Sequence, residues 1–384
     1  MTISIAILLL AGPLAFYGCY MLSIRTLSRR KNKTVVSEAP AEFAPFVSVV
    51  IPTYNEVKTI GKRIENFDRL DYPKDRFEVI FVDGASNDGT PELIERSKLD
   101  GRPHIRLTRQ PSRKGYNSAV YDGVKQAKAD IVVLGEVGGM WHPKGLSAAV
   151  RHLAQPDIAV VTGKSVIYNP AESLAARLEA AYREAHDAMR YAESQIDTTP
   201  DMKGELLAFR KDIGLRLRPG ETLPDNTGFD MAMSYLARSL GSRAIFEPEA
   251  VFYEYAPLTI RERLTVQIRR GTTFAGAVWT FRSMIFRSRF GYFGLLIAPS
   301  RLLMLLVLPW LLLVGLVTLA VESFSNPWPA VILAALGGIA LIYRKTRYTF
   351  LSFVLSQIVL TIASLRLMFR RHTQIINTVP TTRR

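Results

Sequence analysis

Cysteine is nearly absent from this chain of 384 residues, because Cys19 is its only cysteine and lies inside an apolar run. A single cysteine excludes an intrachain disulfide framework and a metal site built from several thiolates. The sequence also lacks internal repeats and low-complexity tracts, so neither a repeat protein nor a low-complexity disordered protein is indicated.

Acidic residues are in the minority, with 34 Asp and Glu against 49 Lys and Arg, which gives a net charge of +15. Many of the basic residues flank apolar stretches or lie within residues 261–289, interleaved with apolar and aromatic side chains. Such a segment suits the anionic headgroups of a lipid bilayer. We therefore expect the bilayer, and no nucleic acid, as the partner of this charge, with an ordinary solvated face as the alternative.

No basic residue precedes the first apolar run, residues 2–22. Its length is about the ~20 residues that a helix needs to cross a bilayer core. A cleaved signal peptide carries its basic stretch before the run, whereas here Arg25, Arg29, Arg30, Lys31 and Lys33 follow it. The positive-inside rule then predicts an uncleaved anchor with its N-terminus outside and a cytoplasmic domain after it.

The middle of the chain alternates short β-branched runs with helical segments. The predicted strands are 47–51, 77–82, 105–108, 131–134 and 158–162, and the predicted helices are 58–67, 91–97, 118–129 and 144–153. This alternation predicts an α/β domain with a mainly parallel sheet flanked by helices. The ligand crevice of such a sheet lies at the carboxyl ends of its strands, where several candidate polar residues occur.

Three more apolar stretches follow at 293–321, 328–343 and 348–367, and Pro299 and Pro309 interrupt the first. We expect two to three spans in a multi-pass protein of the cell membrane, since part of the first stretch can lie in the interface. Three spans would leave Arg370 and Arg371 outside, against the positive-inside rule. The expected organisation is an anchor (1–23), a basic segment and linker (24–45), a cytosolic domain (46–257), amphipathic interface helices (258–292), a membrane region (293–369) and a basic tail (370–384).

Two loops that follow predicted strands carry residues suited to a nucleotide. Asp83 precedes the turn 84–90, where its carboxylate can accept hydrogen bonds from a base or ribose, or can simply cap the next helix. Arg109, Arg113, Lys114 and Gly115 form a cationic loop before a helix. That loop suits a diphosphate, and plain solvent exposure is the alternative.

Two later segments carry residues suited to transfer chemistry. Asp230 opens a helical pattern, so its carboxylate is either a helix cap or a general base. Gln267 and Arg270 are three residues apart and share one helical face, where they can grip a pyrophosphate or belong to an amphipathic surface helix.

The order of these segments resembles that of the family 2 glycosyltransferases, especially the membrane-embedded synthases of cellulose, chitin and hyaluronan. The resemblance covers about residues 46–271. Residues 51–56 (Ile-Pro-Thr-Tyr-Asn-Glu) look like the opening strand and turn of the family, residues 82–90 like its uridine-binding aspartate segment, and Lys114-Gly115 like its lysine and glycine before a helix. Phe229-Asp230 is similar to the motif that carries the catalytic base, and residues 267–271 to the signature glutamine, two-residue gap, arginine and tryptophan, except at the last position.

The resemblance implies a glycosyltransferase A-type domain with transmembrane helices. It also implies inverting transfer from a UDP- or GDP-sugar to a growing polysaccharide or a lipid-linked acceptor. Asp230 would be the catalytic base, a role that contributes roughly 10²–10⁴-fold to rate. A Mg²⁺ or Mn²⁺ ion would help to stabilise the leaving diphosphate. The implied donor-binding residues are Pro52, Tyr54, Glu56, Asp83, Lys114, Glu136, Gln267, Arg269 and Arg270.

The metal motif of this chain departs from the family pattern. The motif of two aspartates one residue apart should follow the fourth strand, but Glu136 and Gly138 occupy those positions. Glu136 can supply one oxygen ligand, whereas Gly138 has no side chain to offer. Glu254 and His142 are further candidates, with structural roles as the alternative, so dependence on a metal stays open.

The second departure is Gly271, which replaces the tryptophan that stacks on the acceptor sugar in the synthases. Without that ring the case for processive polymerisation weakens. Trp279 can replace it or can be an interfacial anchor. We therefore expect a membrane-integral glycosyltransferase, with a single-step polyprenyl-phosphate glycosyltransferase or a scaffold that lost its metal site as alternatives.

Overall fold

The computed structural model describes residues 5–30, 42–102, 104–369 and 380–382. Residues 31–41 of the predicted basic segment and linker (24–45), and most of the tail 370–384, lie outside them. The strands are β1 (Val47–Thr53), β2 (Phe77–Asp83), β3 (Ile105–Arg109), β4 (Ile131–Gly135), β5 (Met140–Trp141), β6 (Ile158–Ile167), β7 (Leu206–Arg210) and β8 (Arg243–Glu254). The helices are α1 (Ile5–Arg30), α2 (Ile60–Asp68), α3 (Thr90–Leu99), α4 (Tyr116–Gln126), α5 (Gly145–Arg151), α6 (Leu174–Ile196), α7 (Lys211–Gly214), α8 (Phe229–Ser239), α9 (Ile260–Thr280), α10 (Ala298–Leu302), α11 (Leu308–Glu322), α12 (Trp328–Ile342) and α13 (Arg344–Met368).

The eight strands form one mixed sheet in the order β3-β2-β1-β4-β7-β6-β8-β5. β1 pairs in parallel with β2 and β4, and β2 pairs in parallel with β3, which confirms the predicted α/β arrangement of the first half. β7 then enters antiparallel to both β4 and β6, so the sheet is more mixed than the alternation predicted. The carboxyl ends of β1, β2, β3 and β4 share one edge of the sheet.

Both faces of the sheet are buried, which explains why its strands are nearly continuous apolar runs. In β1, Val47, Val49 and Ile51 belong to a core shared with α2 and α5, while Val50 faces the core shared with α4 and α8. This period of two is the geometry of a pleated strand. The sheet is therefore a three-layer scaffold that holds the loops at its edge in place.

The apolar helices dock on the scaffold through a third core. Tyr20 and Ile24 of α1 contribute to this core together with side chains of α6, α8 and α9. A buried ion pair reinforces it, because Arg301 donates from Nε and Nη2 to the two Glu193 carboxylate oxygens, each at 2.9 Å. Tyr20 and Thr199 also donate to Glu193, so one carboxylate connects the apolar helices to the sheet domain.

Among the described residues, three helical segments are long and apolar enough to cross a bilayer, namely Ile5–Arg30, Phe293–Glu322 and Thr346–Met368. α12 is apolar too but has only 15 residues. The expected break at Pro299 and Pro309 does not occur, since residues 293–322 stay helical through two π-helical turns, Phe293–Ile297 and Leu303–Val307. Wider turns accommodate the missing N–H and the ring of a proline.

Candidate active site

A cavity opens at the carboxyl ends of β1 and β4, the edge where the topology places a ligand crevice. We call it the sheet-edge cavity. Six of the nine implied donor-binding residues line it: Pro52, Tyr54, Glu56, Glu136, Arg269 and Arg270.

The loops after β1 and β2 are joined by hydrogen bonds next to this cavity. The backbone N–H of Asn55 donates to Ser86 Oγ at 2.9 Å, and the N–H of Glu56 donates to Thr90 Oγ1 at 2.9 Å. Asp83 caps the turn that follows it and not the next helix, because its Oδ2 accepts the N–H of Ser86 at 3.0 Å while α3 begins only at Thr90. Its Oδ1 is buried and has no partner among the described residues, so it remains able to accept a hydrogen bond from a ligand.

The loop before α4 brings Arg113, and not Lys114, to the cavity. Lys114 is exposed, whereas Arg113 and Gly115 line the sheet-edge cavity. The guanidinium of Arg113 stacks on the Tyr54 ring, 3.7 Å from its centroid. Gly115 has φ of 91°, which favours glycine, and α4 begins at the next residue. The loop is therefore cationic as predicted, with a different residue facing the cavity.

A cluster of acidic side chains surrounds Tyr116, the first residue of α4. Burial, together with the negative charges of Glu136, Asp230 and Glu205, raises the pKa of Tyr116 well above its ordinary value. Its hydroxyl is buried and has no hydrogen-bond partner among the described residues. Tyr116 therefore stays protonated and can donate a hydrogen bond to a substrate oxygen.

Glu136 and Glu205 line the cavity together and are the candidates for holding a divalent cation. No group of three or more His, Cys, Asp and Glu side chains that could hold a metal occurs within the described ranges. A Mg²⁺-type ion at a diphosphate needs only one or two carboxylates, because the phosphates supply further oxygens. Glu136 fits that requirement, while Gly138 lines the same cavity without offering a ligand.

Asp230 lies in the first turn of α8, and its Oδ1 accepts the N–H of Met231 at 2.9 Å. Burial raises the pKa of Asp230 to about 6, and the nearby carboxylate of Glu205 adds to the rise while Arg270 opposes it. A Cβ at Gly204 would lie 2.7 Å from Tyr116 Oη and 3.5 Å from Asp230 Oδ2, so these two groups are close neighbours. A carboxylate with this pKa can accept a proton near neutral pH.

Arg270 is fixed by acidic side chains from three elements. Its Nη2 lies 2.7 Å from Glu205 Oε1 and 3.5 Å from Glu254 Oε2, and its Nη1 lies 3.6 Å from Glu179 Oε1. Although burial opposes the charged form, these carboxylates hold the pKa of Arg270 above its ordinary value. Arg270 is therefore a permanent cation at the cavity wall.

Gln267 is largely buried and does not line the sheet-edge cavity. Its Nε2 donates to Glu179 Oε2 at 2.7 Å, and Arg183 Nε lies 3.0 Å from Glu179 Oε1. The structure brings Gln267 and Arg270 to the same glutamate, so the shared helical face predicted from their spacing is present. Gln267 orients the arginines around Glu179 instead of lining the predicted donor site.

A second cavity begins at Asp230 and continues between the apolar helices. We call it the membrane-side cavity. It adjoins the first through six shared lining residues: Tyr116, Glu136, Arg183, Glu205, Arg269 and Arg270. Its far wall is formed by α1, the segment 301–305 and α13, through side chains that include Tyr17, Met304, Leu305, Phe353 and Leu360.

Lys203 also lines the membrane-side cavity, although only 6% of its surface is exposed. No carboxylate of the described chain forms an ion pair with it. A buried ammonium without a counter-charge is unfavourable unless a ligand supplies one. The cavity thus offers an apolar wall, a cation and the Asp230 carboxylate in one continuous space.

The departures from the family motifs have structural explanations. A Cβ at Gly271 would lie 3.3 Å from the Cβ of Ala363, so α13 packs where a larger side chain would project. Trp279 is half exposed, stacks under Arg282 and lines neither cavity. Of the two metal candidates, Glu254 lines the sheet-edge cavity, while His142 accepts the N–H of Lys144 and does not line it.

Sequence reasoning missed Glu179, Arg183 and Glu205, which no motif marked. These three residues matter because they are buried at the site. Whether a single charged residue is buried cannot be predicted from one sequence. Tyr116 had a usable signal, because it directly follows the Lys114-Gly115 pair at the start of a helix.

Comparison with known proteins identifies the family of this chain. The model described as glycosyl transferase family 2 matches residues 48–214, and the model described as glycosyl transferase family group 2 matches residues 141–360, more than half of the chain. These two matches together cover the sheet domain and the first membrane-side helices.

A solved structure, the mannosyltransferase PcManGT from Pyrobaculum calidifontis in complex with GDP-Man and Mn²⁺, is similar along nearly the whole chain. It is 26% identical, with a TM-score of 0.80 over 96% of this chain and 99% of that one. The glycosyltransferase A-type fold that the sequence predicted is thereby confirmed.

Two curated relatives are similar over shorter stretches. A dolichyl N-acetyl-alpha-D-glucosaminyl phosphate 3-beta-D-2,3-diacetamido-2,3-dideoxy-beta-D-glucuronosyltransferase of Methanococcus voltae is 37% identical over 90 residues, covering 23% of this chain and 28% of that protein. A dolichol-phosphate mannosyltransferase of Pyrococcus furiosus is 25% identical over 206 residues, covering 53% of this chain and 55% of that protein. The chain thus spans about half or less of the length of these relatives.

Proposed function

The chain belongs to the family 2 glycosyltransferases, and on that premise we propose that it transfers a sugar from a nucleoside-diphosphate sugar to a lipid-linked sugar at a membrane. One observation carries the choice of acceptor: the membrane-side cavity joins Asp230 and Lys203 to an apolar passage between helices. A lipid-linked sugar matches these three features. Its sugar hydroxyl can give a proton to Asp230, its phosphate can pair with Lys203, and its apolar chain can lie in the passage between the helices.

Asp230 acts as the general base in this proposal. Its carboxylate takes the proton from the acceptor hydroxyl while that oxygen forms a bond to the anomeric carbon of the donor sugar, and the bond from that carbon to the diphosphate breaks. One displacement inverts the anomeric configuration. Such a base is effective when its pKa lies near the working pH, and the pKa of Asp230 is raised by burial to about 6.

Arg270 and Arg269 act on the leaving diphosphate, because both line the two cavities where these meet. The Glu179, Glu205 and Glu254 carboxylates hold Arg270 in place before substrate arrives. A fixed cation stabilises developing negative charge without reorganisation. Glu136 would hold a divalent cation, which when bound supplies further positive charge to the diphosphate.

The similar proteins support this substrate class. The Pyrobaculum structure holds GDP-Man and Mn²⁺, and the Methanococcus protein is named for a dolichyl sugar phosphate acceptor. We extend a nucleotide-sugar donor, a divalent cation and a lipid-linked acceptor to this chain on that basis. Growing polysaccharide is a weaker candidate, since α13 packs against Gly271 and leaves no aromatic platform there.

We further propose that the apolar helices cross the cell membrane and leave the sheet domain on the cytoplasmic side. Arg25, Arg29 and Arg30 end α1 on the side of the sheet domain. Basic residues at that end favour a cytoplasmic position. The boundaries at 46–257 for the catalytic domain, 258–292 for the interface helices and 293–369 for the membrane region belong to the same proposal.

Direct charging of a polyprenyl phosphate is the second candidate. It is favoured by Lys203, whose ammonium has no ion-pair partner among the described residues and suits a lipid phosphate whether or not that phosphate carries a sugar. The two candidates differ at Asp230: a phosphate nucleophile is already an anion at neutral pH and needs no base.

The experiment measures release of nucleoside diphosphate by the full chain in lipid nanodiscs with Mn²⁺. It compares UDP- and GDP-sugars in the presence of polyprenyl phosphate, a polyprenyl-linked sugar or no acceptor. Acceptor-dependent turnover with the lipid-linked sugar is expected, and it should be lost on chelation of the metal. Turnover with polyprenyl phosphate alone would favour the second candidate, and no turnover with any pair would refute the proposal.

A further inference from the structure

Two buried hydrogen-bond acceptors at the end of β2 and β3 have no partner among the described residues. They are Asp83 Oδ1 and Gln110 Oε1. Their residues are 1% and 5% exposed. A buried polar atom without a partner is costly, and these two belong to the ends of paired strands, so a ligand that supplies the missing donors would be stabilised there.

The two acceptors belong to adjacent positions of the sheet edge. The backbone N–H of Gln110 donates to the carbonyl of Asp83 at 2.8 Å. Gln110 lines the sheet-edge cavity together with Gly84, the residue after Asp83. A Cβ at Gly84 would lie 3.8 Å from Gln110 Oε1, so glycine keeps the approach to this oxygen open.

The orientation of the Gln110 amide follows from its neighbour. Gln110 Nε2 donates to Asp122 Oδ2 at 2.8 Å, and Asp122 also accepts from Lys125 at 2.8 Å. Although burial opposes ionisation, the hydrogen bonds from Lys125 and Gln110 hold the pKa of Asp122 below its ordinary value. An ionised carboxylate only accepts, so the NH₂ group must face Asp122 and the oxygen must face away from it.

We propose that Gln110 and Asp83 select guanine as the base of the donor nucleotide. Guanine carries two adjacent donors on one edge, the N1–H and the 2-amino group, and these match two adjacent acceptors. Uracil offers one N–H between two carbonyl oxygens, so one protein acceptor would face another acceptor. The inference rests on the proposed function and adds to it the class of donor, a GDP-sugar.

The size of the preference for GDP follows from the free energy of an unpaired acceptor, because leaving a buried acceptor without a donor costs more than a formed hydrogen bond contributes. A site built to hold an N–H group discriminates strongly against an analogue without it, because the buried acceptor is then left unpaired. Inosine diphosphate is the matched probe, since it lacks only the 2-amino group of GDP. We expect GDP to bind about tenfold more tightly than IDP, and more tightly still than UDP.

The test is calorimetric titration of the full chain in nanodiscs with GDP, IDP and UDP in the presence of Mn²⁺. Gln110→Met removes the acceptor at nearly the same volume. This variant should bind GDP about tenfold more weakly than the unchanged chain does, while its affinity for IDP stays the same. GDP and IDP should then bind to it with similar affinity. Gln126→Met is the control, because Gln126 accepts from Thr108 and lines neither cavity, and it should keep the preference for GDP.

Three results would overturn the inference while leaving the proposed function intact. They are UDP binding as tightly as GDP, IDP binding as tightly as GDP, and Gln110→Met weakening all three nucleotides equally. Equal binding of IDP and GDP would mean that Gln110 contacts the ribose rather than the base. Failure of every nucleoside diphosphate to bind would refute the proposed function as well. If Gln110→Met does not fold, the three nucleotides compared on the unchanged chain decide the matter.

Discussion

Replacing Asp230 with asparagine separates the catalytic and structural consequences of one partly buried carboxylate. Asparagine has almost the same shape but cannot take up a proton near neutral pH. In the folded chain, burial raises the pKa of Asp230 from 3.8 to about 6. The carboxylate is therefore ionised and able to act as a base only above about pH 6.

The rate consequence follows from the role of a base. We expect Asp230→Asn to lower kcat with a lipid-linked sugar by roughly 10²–10⁴-fold and to leave donor binding nearly unchanged. In the unchanged chain, kcat/KM should fall about tenfold per pH unit below the pKa. Any residual activity of the variant should lack this acidic limb.

The stability consequence has the opposite sign. A folded-state pKa above the unfolded value means that ionising Asp230 destabilises the folded chain. This destabilisation is complete above about pH 6 and disappears as the pH falls towards 4, because the carboxyl is then protonated in the folded chain. A rise of about two pKa units corresponds to about 3 kcal/mol at most. Asp230→Asn should therefore be more stable than the unchanged chain at pH 7.5 and nearly equal to it near pH 4.

The assay pairs initial rates from pH 5 to 8 with thermal unfolding of the same samples in nanodiscs. Asp225→Asn is the control, since Asp225 is an exposed carboxylate in the loop before α8, and it should change neither quantity. Full activity of Asp230→Asn would refute the role of a base and favour an anionic phosphate as the nucleophile. A variant less stable than the unchanged chain at pH 7.5 would contradict the raised pKa.

Three other predictions concern the membrane side. Lys203→Met should raise the KM for the lipid-linked acceptor about tenfold in steady-state assays, with donor KM unchanged and Lys203→Arg retaining affinity. Gly271→Trp should lower the melting temperature by several degrees without lengthening the product, because its side chain would meet Ala363 and overpacking costs about 1–3 kcal/mol. Glu193→Gln should lower the free energy of unfolding by about 3–5 kcal/mol, since it leaves Arg301 buried without a counter-charge, and adding Arg301→Met should restore part of it.

Local pattern was sufficient for much of the fold. The five predicted strands and four predicted helices of the first half appear within a few residues of their expected bounds, because period and turn residues are local properties. The later strands β7 and β8 and the helix α6 were not predicted. β7 takes its place between β4 and β6 by antiparallel pairing across long sequence distances, which no local window records.

The candidate site, like the fold, was predicted in part from the sequence. The order of motifs marked Tyr54, Glu136, Asp230 and Arg270. The structure places Tyr54 in the sheet-edge cavity, Asp230 in the membrane-side cavity, and the other two in both. Lys114 and Gln267 were marked too, but the direction of each side chain depends on neighbours. Arg113 lines the sheet-edge cavity instead of Lys114, and Gln267, hydrogen-bonded to Glu179, lines the membrane-side cavity instead of the sheet-edge cavity.

The sequence by itself determined the family, the α/β alternation and the apolar segments, because these depend on residue order and composition. Only the tertiary structure decided that Lys203 is largely buried and that Gln110 lines the sheet-edge cavity, and within the described residues neither the Lys203 ammonium has an ion-pair partner nor the Gln110 oxygen a donor. Burial and hydrogen-bond partners come from contacts between segments that are distant along the chain. A charge or an amide acquires its chemical role from those contacts.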